Sequence, residues 1–276
     1  MIYFKLYAAA EQDESVVDPE ALIALTAELG DADARLRDVS TDWCVTYGRY
    51  VNGSRLKRVA SELGSPGDAI GEYVATVAGA GGPTWPLATS PRPDYAFRGK
   101  ARLETSSTRA RLRIRLRAAF GVNARADVLA ALLGSPEMGL SVADLARTTR
   151  FTRQNIVFAV EALVLAGLVE ARAVGSERRF ALLGRTTILP GLRPPVPQPD
   201  WVSRFRIVLE LVRFERRSAM TPSIRSIESR RLVESIWQGI VSEDLPRPNL
   251  DAMGVEFASA YDRWIVHIVD WLRSQK

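Results

Sequence analysis

Between residues 123 and 183 the spacing of apolar positions changes in a definite order. Val128, Leu129, Leu132 and Leu133 recur at three and four residues, the period of one helix face. Asn123 can cap that helix, and GSPEMG (134–139) ends it. SVAD (141–144) then has the form of a capping box, with Val142, Leu145 and Ala146 turned inward over a short helix. After the polar turn RTTR, Thr152 caps a longer helix on which Ile156, Val160 and Leu163 repeat at helical spacing. Gly167 stands where a left-handed residue is needed to end it. Two short apolar-rich runs, LVEARAV and RRFALL, follow around Gly175, Ser176 and Glu177 and read as a β-hairpin.

The flanks read as helical too. Asp18 with Pro19 opens a helix through Leu29, and DWCVTYGRYVNGSRLKRVASELG and PGDAIGEYVATVAG supply two more helical segments. Near the C-terminus three helices are expected, the last capped by Asn249 and carrying a stripe of Phe257, Tyr261, Trp264, Ile268 and Trp271. Such a stripe serves a core by default and a dimer interface as the alternative. Two Gly/Pro-rich stretches, residues 79–97 and 190–200, interrupt the helical pattern. They divide the chain into residues 1–97, 98–189 and 190–276, unless these stretches pack along domain surfaces. The fold class is therefore mainly α, a central three-helix core with a hairpin, flanked by helical regions.

One stretch has two periods at once. In TRARLRIRLRAAF (108–120) Arg109, Arg111, Arg113, Arg115 and Arg117 alternate with apolar residues, formally a strand. Wound as a helix, Leu112, Leu116, Ala119 and Phe120 gather into one stripe beside Arg113 and Arg117, and only Ile114 is misplaced. The helix is the reading adopted. The guanidiniums have three candidate uses: a solvated face, pairs with acids of the N-terminal region, or contact with phosphate.

Charge sharpens that choice. The net charge of +5 divides unevenly: residues 1–97 hold 8 Lys+Arg against 14 Asp+Glu, residues 98–185 hold 16 against 7, and residues 186–276 hold 13 against 11. A middle segment of net +9 is suited to polyanions. The longest mostly apolar run, residues 156–169, carries Glu161 and falls short of the ~20 residues that span a bilayer, so no membrane partner is expected. The acids Glu11, Asp13 and Glu14 do not fit a signal peptide, and one cysteine, Cys44, allows no internal disulfide; a cytoplasmic protein is expected.

The run NARADVLAALLGSPEMGLSVADLARTTRFTRQNIVFAVEALVLAGLVEARAVGSERRFALL resembles the DNA-binding domain of bacterial winged helix-turn-helix regulators of the ArsR and MarR type. The resemblance covers roughly residues 112–183, and SVADLA, TRQNI and EALVLAGLVE carry most of it. It implies transcriptional regulation through double-stranded DNA. The start of the second, recognition helix supplies Thr152, Arg153, Gln154 and Asn155, whose chemistries suit base edges. Arg172, Arg178 and Arg179 on the hairpin, or wing, would meet the backbone or minor groove. A polar, well-capped helix start is the plainer account of the first four. Phe158, Ala162 and Leu165 depart from the pattern, because they make this helix apolar all round after its first turn. Either only the first turn enters a groove, or the outer face packs on a flanking domain or second subunit. A winged-helix scaffold that recruits a protein partner is therefore the competing function.

Catalysis is not expected. His267 is the single histidine, read as a helix-packing residue, and with Cys44 alone there is no His/Cys cluster for a metal. Gly64 and Ser65, and Asp31 with Asp33, stand in the reverse of a nucleotidyltransferase order, and the two aspartates read as a solvated turn. No phosphate-loop or dinucleotide-binding motif occurs, and no cofactor is expected.

Overall fold

The computed structural model describes residues 16–30, 32–64, 67–91, 95–99, 101–102, 109–184, 196, 198–217, 220–252 and 254–274. Among them are eleven α-helices and one small antiparallel sheet. In chain order these are α1 (Pro19–Leu29), α2 (Ala34–Tyr47), α3 (Gly53–Glu62), α4 (Gly67–Gly79), α5 (Leu112–Phe120), α6 (Ala124–Gly134), β1 (Leu140–Ser141), α7 (Val142–Thr149), α8 (Arg153–Leu165), β2 (Val169–Val174), β3 (Glu177–Leu182), α9 (Trp201–Glu215), α10 (Pro222–Ser242) and α11 (Val255–Ser274). The protein is mainly α with a central winged helix.

The chain forms two units rather than three. Residues 14–199 make one, and residues 200–276 belong to the other. The expected boundary near residue 97 does not separate units, because the Gly/Pro-rich stretch packs back on the N-terminal helices. Trp85 is buried, the Thr89 amide donates to the Gly71 carbonyl (3.2 Å), and the Tyr95 hydroxyl donates to Asp42 (2.6 Å). Only the 190–200 stretch lies near a division between units, and Val196 from its middle is buried in the winged-helix core.

Local signals account for most helix starts. Asp18 accepts from the Ala21 amide (3.1 Å) and Pro19 follows it, so α1 begins where the sequence predicts. Asp33, read as part of a solvated turn, instead caps α2 through the Leu36 amide (3.0 Å); Asp31 lies outside the described residues. The stretch read as one helix from Asp42 breaks at a 3-10 turn, Gly48–Tyr50, and restarts as α3 under an Asn52 cap. Asn249 does not cap α11. Its carboxamide accepts from Asp251 in a separate turn, and the helix begins at Val255.

TRARLRIRLRAAF resolves as a helix over its second half. Arg109–Arg111 forms a 3-10 turn, and α5 sinks Leu112 and Leu116 into the core that also holds Val128, Leu129, Leu132, Leu145, Ile156, Val160 and Phe180. Arg113 and Arg117, four residues apart on one face, are buried as well. They meet Asp18 and Glu20 of the N-terminal region and Asp127 of α6. Arg117 grips Glu20 (2.6 Å) and Asp127 (3.0 Å), Arg113 reaches Asp18 (2.7 Å) and Asp127 (3.3 Å), and Arg55 from α3 pairs with Asp18 and with Glu20 (2.6 Å). Three guanidiniums and three carboxylates thus balance inside the unit.

The C-terminal unit packs α9, α10 and α11 around Phe214, Val233, Ile236, Phe257, Tyr261, Trp264 and Ile268. The aromatic stripe, expected to serve a core by default, fills this unit's own core through Phe257, Tyr261, Trp264 and Ile268, with the Trp264 indole N–H donating to the Pro246 carbonyl (2.7 Å). The Trp271 side chain lies outside the described residues. His267 is exposed on α11, not a packing residue.

The ion cluster makes acid stability a test of the fold. Burial alone would raise the Asp18 pKa, but Arg113 and Arg55 overcome it and hold the carboxyl well below its ordinary value. A folded value below the unfolded one means that its stabilisation is complete above about pH 4 and is lost as pH falls through the lower folded value. Asp18→Asn leaves buried guanidiniums undercompensated and should cost about 3 to 5 kcal/mol at neutral pH. Urea denaturation across a pH series should show this gap closing in acid; a gap independent of pH would mean that Asp18 is not ionised in the fold.

Candidate nucleic-acid interface

Each part of the helix-turn-helix is fixed by local chemistry. Ser141 and Asp144 complete the capping box of α7: the Ser141 hydroxyl accepts from the Asp144 amide (3.1 Å), and the Ser141 amide donates back to the carboxylate (3.3 Å). The Ser141 hydroxyl also donates to that carboxylate (2.9 Å), and this bond is the main cause that lowers the Asp144 pKa. Arg150 then turns the chain in the left-handed region (φ 61°), and its amide donates to Ala146 (3.0 Å). Thr152 caps α8 by accepting from the Asn155 amide (3.2 Å). Gly167 ends the helix at φ 68°, as its position predicts.

The N-terminal helices hold this turn. Arg55 Nε donates to the Thr149 carbonyl (2.7 Å), the last residue of α7, and Arg58 donates to the Arg150 carbonyl. Helix C-termini leave carbonyls unsatisfied, and here guanidiniums from α3 supply the missing donors.

With α7 fixed, α8 buries Ile156, Ala159, Val160 and Leu163. Its first turn faces outward: Thr152, Arg153, Gln154 and Asn155 are all exposed. No carboxylate engages Arg153 among the described residues. The outer face continues through Val157, Phe158 and Leu165, the last 91% exposed, so among the described residues of its own unit nothing covers that face.

The wing is β2 and β3, antiparallel with Ala171 opposite Phe180, and β1 adds a two-residue third strand that pairs Leu140 with Phe180. Its three arginines differ in availability. Arg172 and Arg179 stand directly opposite each other, a like-charge pair that each strand relieves with its own acid. Arg172 pairs with Glu170 and donates to the Glu137 carbonyl (3.1 Å), while Arg179 pairs with Glu177 (2.9 Å) and donates to Gly139 (3.2 Å). Arg178 is exposed, over the Phe180 ring at 5.3 Å, with no carboxylate partner among the described residues.

Beside α8 lies an open groove of about 480 Å³ that the sequence did not announce. Arg58 of α3, Arg125 of α6 and Arg150 of the turn line it with Asn155 and Phe158. Arg125 was visible next to the Asn123 cap, but Arg58 sits in the acidic N-terminal segment. Only the docking of α3 against the turn brings it here. Elsewhere, burial pushes the Cys44 thiol up to about 12, a poor nucleophile, and no group of three metal-ligating side chains occurs among the described residues. No helix there is long and apolar enough to cross a membrane.

A model of the MarR family matches residues 123–179, a fifth of the chain, from the cap of α6 into β3. Match and geometry coincide: this segment is a winged helix-turn-helix and is similar to that of the MarR family. No curated protein and no solved structure matches the chain. The helices before Asn123 and after the wing lie outside the family match.

Two glycines allow the wing's packing to be tested. Gly139 and Gly175 both have positive φ (75° and 60°), but a Cβ on Gly139 would run into the Phe180 carbonyl, whereas Gly175 has open space around it. Gly175→Ala should cost about 1 kcal/mol, from the left-handed backbone alone. Gly139→Ala adds the collision and should lose roughly 3 kcal/mol. Equal losses in chemical denaturation would show that β1 does not closely approach β3.

Proposed function

We propose that this protein is a sequence-specific double-stranded DNA-binding transcriptional regulator of the cytoplasm, acting without catalysis or cofactor. The observation that carries this reading is the first turn of α8. Thr152, Arg153, Gln154 and Asn155 stand exposed together on a helix start fixed by a cap and a braced turn. Arginine donates bidentately to guanine, and Gln or Asn pairs with adenine, so one turn holds the donors and acceptors for direct readout. The wing contributes backbone contact chiefly through Arg178, with Arg172 and Arg179 partly neutralised by Glu170 and Glu177.

Two copies joined through their C-terminal helices would present two recognition helices to a two-fold site. With the aromatic stripe used internally, the exposed Ile224 and Ile227 on α10 are the surface that supports this assembly. The full chain should sediment as a dimer, and the double variant Ile224→Asp, Ile227→Asp as a monomer; two dimers would place the interface elsewhere.

A second reading rests on a specific observation. Val157, Phe158 and Leu165 leave an apolar outer face on α8, suited to a protein partner in a winged-helix scaffold.

Base reading and phosphate binding separate by mutation. A site enriched from a random duplex library should lose about 1 to 3 kcal/mol of preference over random DNA on Arg153→Ala. Arg178→Ala should weaken both duplexes alike and keep the preference. A site whose preference survives both Arg153→Ala and Gln154→Ala would overturn the recognition surface. A chain that binds no duplex at low salt would leave the scaffold reading in its place.

A further inference from the structure

The groove beside α8 has an unbalanced charge. Its lining includes four arginines and neither Asp nor Glu. Arg55 is spent on Asp18 and Glu20, and Arg150 pairs with Glu62 (2.8 Å). That leaves Arg58 and Arg125, neither engaged by a carboxylate among the described residues. Two guanidiniums that face one open groove without a counter-charge favour an anion between them. Apolar surface from Phe158 and Ala162 lies in the same lining, next to the cations.

That alternation matches the chemistry of a sugar–phosphate strand, which offers phosphates to guanidiniums and deoxyribose carbons to aromatic and methyl groups. Asn155 places the strand. It lines this groove and also belongs to the exposed first turn of α8, so a strand in the groove adjoins the bases read by that turn.

We infer that Arg58 and Arg125 clamp the phosphate backbone of the duplex read by α8. The inference rests on the DNA-binding reading above, and it makes α3 part of the interface. The N-terminal helices then do more than brace the turn: they widen the DNA footprint past the matched segment of residues 123–179.

The test is the salt dependence of binding by the full chain to the enriched duplex and to random duplex, for wild type, Arg58→Ala, Arg125→Ala and Arg58→Lys. Each phosphate contact contributes about 0.9 to the slope of log affinity against log salt. Each alanine variant should therefore lower the slope by about 0.9 on both duplexes, and Arg58→Lys should retain it. Arg58 also donates to the Arg150 carbonyl, and a purely structural role would change affinity through the turn while leaving the slope unmoved. Arg125 is exposed and holds no part of the turn, so it carries the test should Arg58→Ala fail to fold. Unchanged slopes in folded variants that still prefer the enriched site overturn the clamp and leave base reading intact. Absence of duplex binding by the wild type overturns DNA binding itself, and the clamp with it.

Discussion

Glu20 is buried with both carboxylate oxygens committed. One accepts from Arg117 and from the Asn52 amide (2.7 Å), and the other from Arg55 and Arg117. Around it, Asp18, Asp127 and Arg113 complete a set of six charges of net zero, all at most 7% exposed at their side chains. In a low-dielectric interior such a set tolerates little displacement, because losing one partner strands a charge. It adds less to overall stability than its contacts suggest, since desolvation offsets much of the attraction. What it supplies is position. Four helices, α1, α3, α5 and α6, meet at one geometry, and α3 arrives with Arg55 and Arg58 aligned on the carbonyls of Thr149 and Arg150. The orientation of α8 thus depends on acids more than 130 positions earlier in the chain.

That dependence explains what could be read in advance. The winged helix was legible because its signals are local: caps at Asn123, Ser141 and Thr152, a left-handed glycine at 167, and apolar periods that change from helix to strand. The leucines of α5 were enough to outvote the arginine alternation. The partners of those arginines were not legible, since Arg117 and Glu20 are 97 residues apart and no periodicity links them. Only the opposite net charges of the first two segments hinted at their union. For the same reason the division near residue 97 failed: composition marks a Gly/Pro-rich stretch, but not whether the chain beyond it turns back to pair. The Trp264 stripe was legible as a core face by default, and that is its use, but one helix face does not say which helices cover it.

Pairing also changes what the basic middle segment offers to DNA. Arg113 and Arg117 are consumed inside, and Arg147, Arg150, Arg172 and Arg179 each have a carboxylate nearby. The net charge of that segment therefore overstates its external field. Arg153, Arg178, Arg125 and Arg58 remain as placed cations, and Arg58 comes from the segment of opposite net charge. For a binding surface, the location of uncompensated cations matters more than the sum over a segment.

The outer face of α8 limits how such a surface could meet a duplex. Beyond its first turn the exposed side chains include Val157, Phe158, Glu161 and Leu165. An acid and large apolar groups lying along a phosphate-lined groove would lose hydration without gaining partners. A helix laid lengthwise in the major groove is therefore disfavoured, and entry by the N-terminal turn is the pose that uses the polar residues at 152–155. That pose puts the flank bearing Asn155 and Phe158 near the groove wall, where backbone passes rather than base edges. On the proposed DNA-binding reading, the apolar departure from a regular recognition helix would have a use: it would confine readout to a few base pairs and set Phe158 against sugar carbons rather than bases.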